Sequence, residues 1–219
     1  MSYIKSIPGL DTNKKAQAKG DKMKTVIEFT KGNKKLPKTT YILNVGSAHD
    51  CPSDKLGLCE VSDKCYAKKA EIQYPDVLPF RKRQRNVFNR CSAETIASGL
   101  LDSSKRARKN KMLHFRFSEA GDFRSQKDCD KMVDICRILS ANGVKCYGYT
   151  ARTDLNLTGL LLFASVNVSN DLNSWKAKGA NRFKAVEEYT KKNLRCAGSC
   201  KICDICSRFK GKTVEVEIH

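Results

Sequence analysis

Residues 112–150, MLHFRFSEAGDFRSQKDCDKMVDICRILSANGVKCYGYT, decide the fold. Met112 to Ser118 alternate, Leu113, Phe115 and Phe117 facing inward against His114 and Arg116, which is the period of a strand. Ser125 then offers a helix N-cap, and Cys129, Met132, Val133, Cys136 and Leu139 follow at helical spacing along one stripe. Asn142-Gly143 supplies the stop, because glycine tolerates the left-handed backbone of a C-cap. Val144 to Thr150 reads as the next strand. A strand, a helix and a strand joined this way predict a parallel βα unit with a right-handed crossover.

The flanking sequence extends the pattern. Upstream, Thr25 to Thr30 (TVIEFT) and Thr39 to Gly46 (TTYILNVG) read as strands separated by a turn with Gly-Asn and Pro. Two basic helical segments are expected at 80–90 and 92–109, the second starting at Ser92 with Ile96 and Leu100 on one face. Downstream, Leu160 to Val168 and Thr213 to His219 read as further strands. The expected class is α/β: a parallel, partial TIM-barrel-like (βα) sheet with a cysteine-rich C-terminal tail. The expected division is a basic arm over 1–24, the α/β domain over 25–195, and a metal-binding tail with closing strand over 196–219.

At 219 residues the chain is long enough for one substantial core. No run approaches the roughly 18–20 apolar residues of a membrane span. The opening MSYIKSIPGLD has no apolar signal core, so the protein is expected in the cytoplasm. Clustered thiols in that reducing compartment are metal ligands more often than disulfides.

Seven of the eleven cysteines fall in two groups: Cys51, Cys59 and Cys65, then Cys196, Cys200, Cys203 and Cys206. Loops this short fold back at little entropic cost, so soft thiolates converge on one centre. The tail places four ligands within eleven residues, at nearly the density of iron–sulfur ferredoxin runs. Zinc is the alternative, although its sites more often separate two Cys pairs by a longer loop. Two divisions stay open: a four-thiolate tail cluster beside an open three-cysteine site, or one cluster from the first three plus one tail cysteine. Cys91, Cys129, Cys136 and Cys146 read as core residues, His49 as a solvated loop residue, and Trp175 as a packing anchor.

Lys plus Arg number 42 against 23 acids, a net charge of +19. Nucleic acid is the expected partner of a chain this basic. Arg81, Lys82, Arg83, Arg85 and Arg90 form one acid-free run; Lys105, Arg106, Arg108, Lys109 and Lys111 form another. Both are expected to contact phosphates. Strand C-termini in parallel sheets carry functional loops, which makes Glu119, Asp122 and Arg152 candidates for a site rim shared with the first cysteines. Asp122 serves equally well as a helix cap.

The layout of three cysteines after the first parallel strand is distantly similar to radical-SAM barrels. The spacing here is Cys-x7-Cys-x5-Cys rather than that family's Cys-x3-Cys-x2-Cys, which weighs against SAM as a cofactor. A closer likeness lies in Cys65-Tyr66-Ala67, Ala70 to Val77 (AEIQYPDV), Phe115 to Ser118, Gly121-Asp122-Phe123 and Tyr147 to Thr150. Over about residues 40–170 the chain resembles the bacteriophage "gene product 88"-like family. That resemblance implies a phage-encoded protein in the cytoplasm of the infected host cell, an α/β barrel-like fold and a cysteine-bound centre. It implies no defined reaction. The expectation is a phage-type [4Fe-4S] protein, with one cluster or two, that binds nucleic acid without catalysis. The alternatives are a divergent radical-SAM-like enzyme and a zinc-stabilised interaction module. A host or phage protein is a further candidate partner, and a membrane is not.

Overall fold

The computed structural model describes residues 27–169, 171–208 and 211–218. The basic arm expected over 1–24 lies outside the described residues. Eight strands form one sheet: β1 (Thr30–Lys31), β2 (Thr40–Leu43), β3 (His114–Phe117), β4 (Lys145–Thr150), β5 (Ala164–Asn167), β6 (Arg182–Val186), β7 (Leu194–Arg195) and β8 (Thr213–Glu217). The spatial order is β1-β2-β3-β4-β5-β6-β8-β7. Among the described residues only the β1–β2 pair is antiparallel.

The sheet is open, which corrects the barrel-like part of the expectation. β1 runs antiparallel outside β2, and β8 inserts between β6 and β7, so β1 and β7 are left as separate edges. The expected βα unit forms as β3, α5 (Gln126–Ala141) and β4, in parallel register from His114 opposite Lys145 to Phe117 opposite Gly148. Ser125 caps α5, its hydroxyl accepting from the Asp128 N–H. The remaining helices are α1 (Pro52–Lys55), α2 (Tyr66–Gln73), α3 (Val77–Arg90), α4 (Ala93–Arg106), α6 (Asp171–Lys176) and α7 (Ile205–Arg208).

From β2 to β6 each strand steps one place in the same direction, so right-handed crossovers bring their helices to one face. There Phe115 and Phe117 meet Ile96 and Leu100 of α4 and Met132, Ile135, Cys136 and Leu139 of α5, all fully buried. Each such large apolar side chain contributes roughly 1.5–3 kcal/mol. Gly148 is dictated by this packing: a Cβ there would sit 2.3 Å from the Phe117 ring.

Several expectations change. Leu113 precedes β3 and is 56% exposed rather than inward. The strand read over 160–168 is only Ala164–Asn167, entered through a 3-10 turn at Leu160–Leu162. Trp175 is 69% exposed, so it anchors no packing. Strands β6 and β7 were not expected from the sequence.

Candidate metal centre

The first cysteine group sits in the loop beyond β2, and a set of buried polar groups fixes that loop. Asn44 donates from Nδ2 to Gln84 Oε1 (2.9 Å) and accepts the Ala120 N–H at Oδ1 (2.8 Å), tying the loops after β2 and β3 together. Gly121, at φ +69°, fits against Gly46, whose carbonyl carbon a Cβ would meet at 2.7 Å. Glu71 accepts the N–H groups of Ala48 (2.7 Å) and His49 (2.9 Å). Cys51 and Cys65 are then the N-cap residues of α1 and α2.

Asp122 is the hub beneath this loop. Its carboxylate accepts from Ser53 Oγ (2.7 Å), Thr150 Oγ1 (2.8 Å), Ala151 N (2.8 Å) and Phe123 N (2.9 Å). It joins the loops after β2, β3 and β4, and it does not cap α5, a role that Ser125 fills. Burial and the nearby Asp122 charge push the Cys51 thiol up to about 12. Burial, with Cys65 and Asp122 adding, pushes Cys59 up to about 11. Asn167 at the end of β5 reaches Cys59, with Nδ2 3.9 Å from Sγ. Cys51 feels the charge of Cys59, and Cys59 that of Cys65.

The tail cysteines gather elsewhere. Beyond β7 the chain stays beside β8, Cys196 N–H donating to Glu215 O (2.8 Å), and then turns through Gly198 at φ +71°. Cys200 N–H donates to Lys35 O (3.0 Å), laying the tail over the sheet face opposite α4 and α5. Cys196, Cys200, Cys203 and Cys206 line one cavity of about 90 Å³ with Thr40, His114, Tyr147, Tyr149 and Val214. Burial raises the Cys200 thiol, opposed by the Arg116 guanidinium. Burial also raises Cys206, opposed by a hydrogen bond with Tyr149. All eleven cysteines are free thiols. Among the described residues no three His, Cys, Asp or Glu side chains are grouped to hold one metal ion.

Arg116 lies between the two groups. Its guanidinium stacks over Tyr149 (5.2 Å to the ring centroid) and acts electrostatically on Tyr66, the residue after Cys65, as well as on Cys200 and Cys206. Its Nε is buried without a hydrogen-bond partner, as is His114 Nδ1 on the same strand.

The sequence profile of the family described as Gene product 88 matches residues 10–171. The chain belongs to the Gene product 88 family. No curated protein and no solved structure matches it. The Gene product 88 match takes in the first cysteine group, Arg116 and Asp122, whereas the four tail cysteines lie beyond it.

The remaining residues singled out from the sequence separate by burial. Arg152 pairs with Asp154 through two bonds (2.7 and 2.8 Å) and donates to Phe123 O, so its guanidinium holds the loop after β4. Glu119 accepts from Asn33 Nδ2, and its carbonyl accepts the Tyr66 hydroxyl (2.6 Å). Arg81 is buried against Glu71 (2.7 Å), and Arg85 pairs with Asp128 (2.8 Å) and donates to Val45 O. Arg83 pairs with Glu28 near the surface (2.9 Å). Lys82, Arg90, Lys105, Arg106, Arg108, Lys109 and Lys111 are exposed. Sequence reasoning missed Tyr147 and Tyr149 as lining of the tail site, and Arg116 as the charge acting on it. The signal was the polar half of the β3 and β4 alternation, which reads as solvent-facing until a tail covers it.

Proposed function

We propose that this protein is a phage-type [4Fe-4S] protein whose tail cysteines, Cys196, Cys200, Cys203 and Cys206, hold a cluster, and that it binds nucleic acid through its basic surface without a reaction of its own. The observation that carries the reading is the convergence of these four thiols on one cavity, beside a guanidinium that lacks a hydrogen-bond partner at Nε. Each cysteine of a [4Fe-4S] cluster binds a different iron, so its ligands need not crowd around one point. A cluster carried on four thiolates is anionic, and Arg116 supplies the compensating charge. In the same reading Cys51, Cys59 and Cys65 form a second site with an open position, on the loops after the strands. The protein works in the cytoplasm of the infected host cell.

The test is anaerobic purification followed by absorption spectroscopy with iron, zinc and sulfide analysis. A brown protein with equal iron and sulfide supports the reading. A colourless protein carrying zinc replaces it with a zinc-stabilised interaction module.

The three-thiol group favours a second reading, a divergent radical-SAM-like enzyme with an open iron near Asp122 and Asn167. Incubation of the reconstituted protein with SAM and reductant then yields deoxyadenosine, and its absence rejects this reading.

A further inference from the structure

The parallel strands β2 to β6 and β8 all enter the sheet from one side, and the segments leading into all of them but β5 share a property. Residues 32–39, 105–113, 142–145, 178–181 and 211–213 contain no Asp or Glu. They carry, among others, Lys35, Lys38, Lys109, Lys111, Lys145 and Lys212, each exposed and without an ion pair among the described residues. The opposite edge, where the strands end, is mixed in charge: Asp50, Glu119, Asp122, Asp154 and Glu187 lie there among Arg124 and Arg152. Asp204 of the tail, which comes near His114, is paired with Arg208 (3.4 Å).

Resting on the nucleic-acid reading above, we infer that the N-terminal edge of the parallel sheet is the surface that takes the phosphate backbone. Lysines on five separate segments are brought to one edge by the fold, while the α3 run is divided: Arg81 and Arg85 are turned inward and Arg83 is paired. At about 4.8 Å per strand the edge from β2 to β8 spans roughly 24 Å. That matches about seven phosphates along one strand of a duplex at 3.4 Å each. Lysine is a point charge without the planar fork of arginine, so this edge holds phosphates without reading bases. The tail joins the same edge through the Cys200 N–H to Lys35 O bond, so the metal site and the basic edge share a turn.

The experiment measures the salt dependence of binding to a short fluorescein-labelled duplex DNA, its single strand and the matching RNA. Two edge variants, Lys35→Gln with Lys38→Gln and Lys109→Gln with Lys111→Gln, are compared with Lys82→Gln and Arg90→Gln on α3. Circular dichroism and iron content verify the fold of each. The expected result is a loss of about one unit of log–log salt slope per edge lysine removed, with the α3 variants unchanged. Undiminished slope in both edge variants, with wild-type binding intact, overturns this assignment and leaves the nucleic-acid reading standing. Absence of wild-type binding to all three probes removes that reading and the assignment with it.

Discussion

Arg81 and Glu71 form a buried ion pair, Nη1 to Oε1 at 2.7 Å, and the same carboxylate holds the backbone N–H groups of Ala48 and His49. Arg81 also donates to Ala67 O (3.0 Å), so a single contact binds α3, α2 and the first cysteine loop. A basic residue within a run of surface charge therefore acts as a clamp.

Removing one partner of such a pair leaves an uncompensated buried charge. Arg81→Met is expected to cost about 3–5 kcal/mol of unfolding free energy. Lys82→Met, one residue along and exposed, is expected to stay within about 0.5 kcal/mol. Urea titration followed by circular dichroism checks both, and equal losses would show that Arg81 does no more than its neighbour.

If the tail holds the proposed cluster, Arg116 is expected to set its reduction potential. A cation beside a cluster favours the added electron, so Arg116→Gln shifts the midpoint to more negative values and Arg116→Lys retains most of it. Redox titration of the purified holoprotein measures this, with iron content as the check on loading. An unchanged midpoint in a fully loaded Arg116→Gln protein rejects the role.

The two cysteine groups are expected to load independently, since Cys51 and Cys59 lie by Asp122 and the tail cysteines by the Tyr147–Tyr149 face. Cys203→Ser is expected to remove the tail cluster, roughly half of the iron in a two-cluster protein, and Cys59→Ser the other share. Iron and sulfide analysis on each variant separates the cases. Complete loss of iron in both variants would instead indicate one shared cluster.

Cys129 is held by α5 in the core, and burial pushes its thiol up to about 11 against an ordinary 9.0. A raised folded-state value gives stability that is whole below the unfolded value and lost as pH climbs. Stability of the metal-free chain is therefore expected to fall between pH 9 and about 11, and Cys129→Ala is expected to lessen that slope. Denaturation midpoints across that range provide the measurement.

The βα unit at 112–150 was legible because strand and helix periods are local, and Ser125 and Gly143 mark the helix ends. The inward turn of Arg81 and Arg85 was only half legible. Both fall on the stripe of α3 with Gln84 and Phe88, at helical spacing, yet their partners Glu71 and Asp128 lie elsewhere in the chain. β6 was missed because Arg182 and Lys184 alternate with Phe183 and Ala185 inside a basic stretch, where charge masks the period. The open sheet was illegible for a topological reason: nothing local reports that β8 enters between β6 and β7. Both cysteine groups were visible as spacing, whereas the guanidinium between them emerged only once the tail was seen to cover β3 and β4.

The insertion of β8 between β6 and β7 also has a bearing on biosynthesis. The segment carrying Cys196 to Cys206 is fastened at one end by β7 and at the other by β8, and among the described residues β7 pairs with β8 alone. The four thiols are synthesised before the strand that anchors them, and Val214 of that strand lines their cavity, so the cavity is complete only once β8 has formed. In the proposed reading, a cluster held by these thiols is therefore completed only after β8 has joined the sheet.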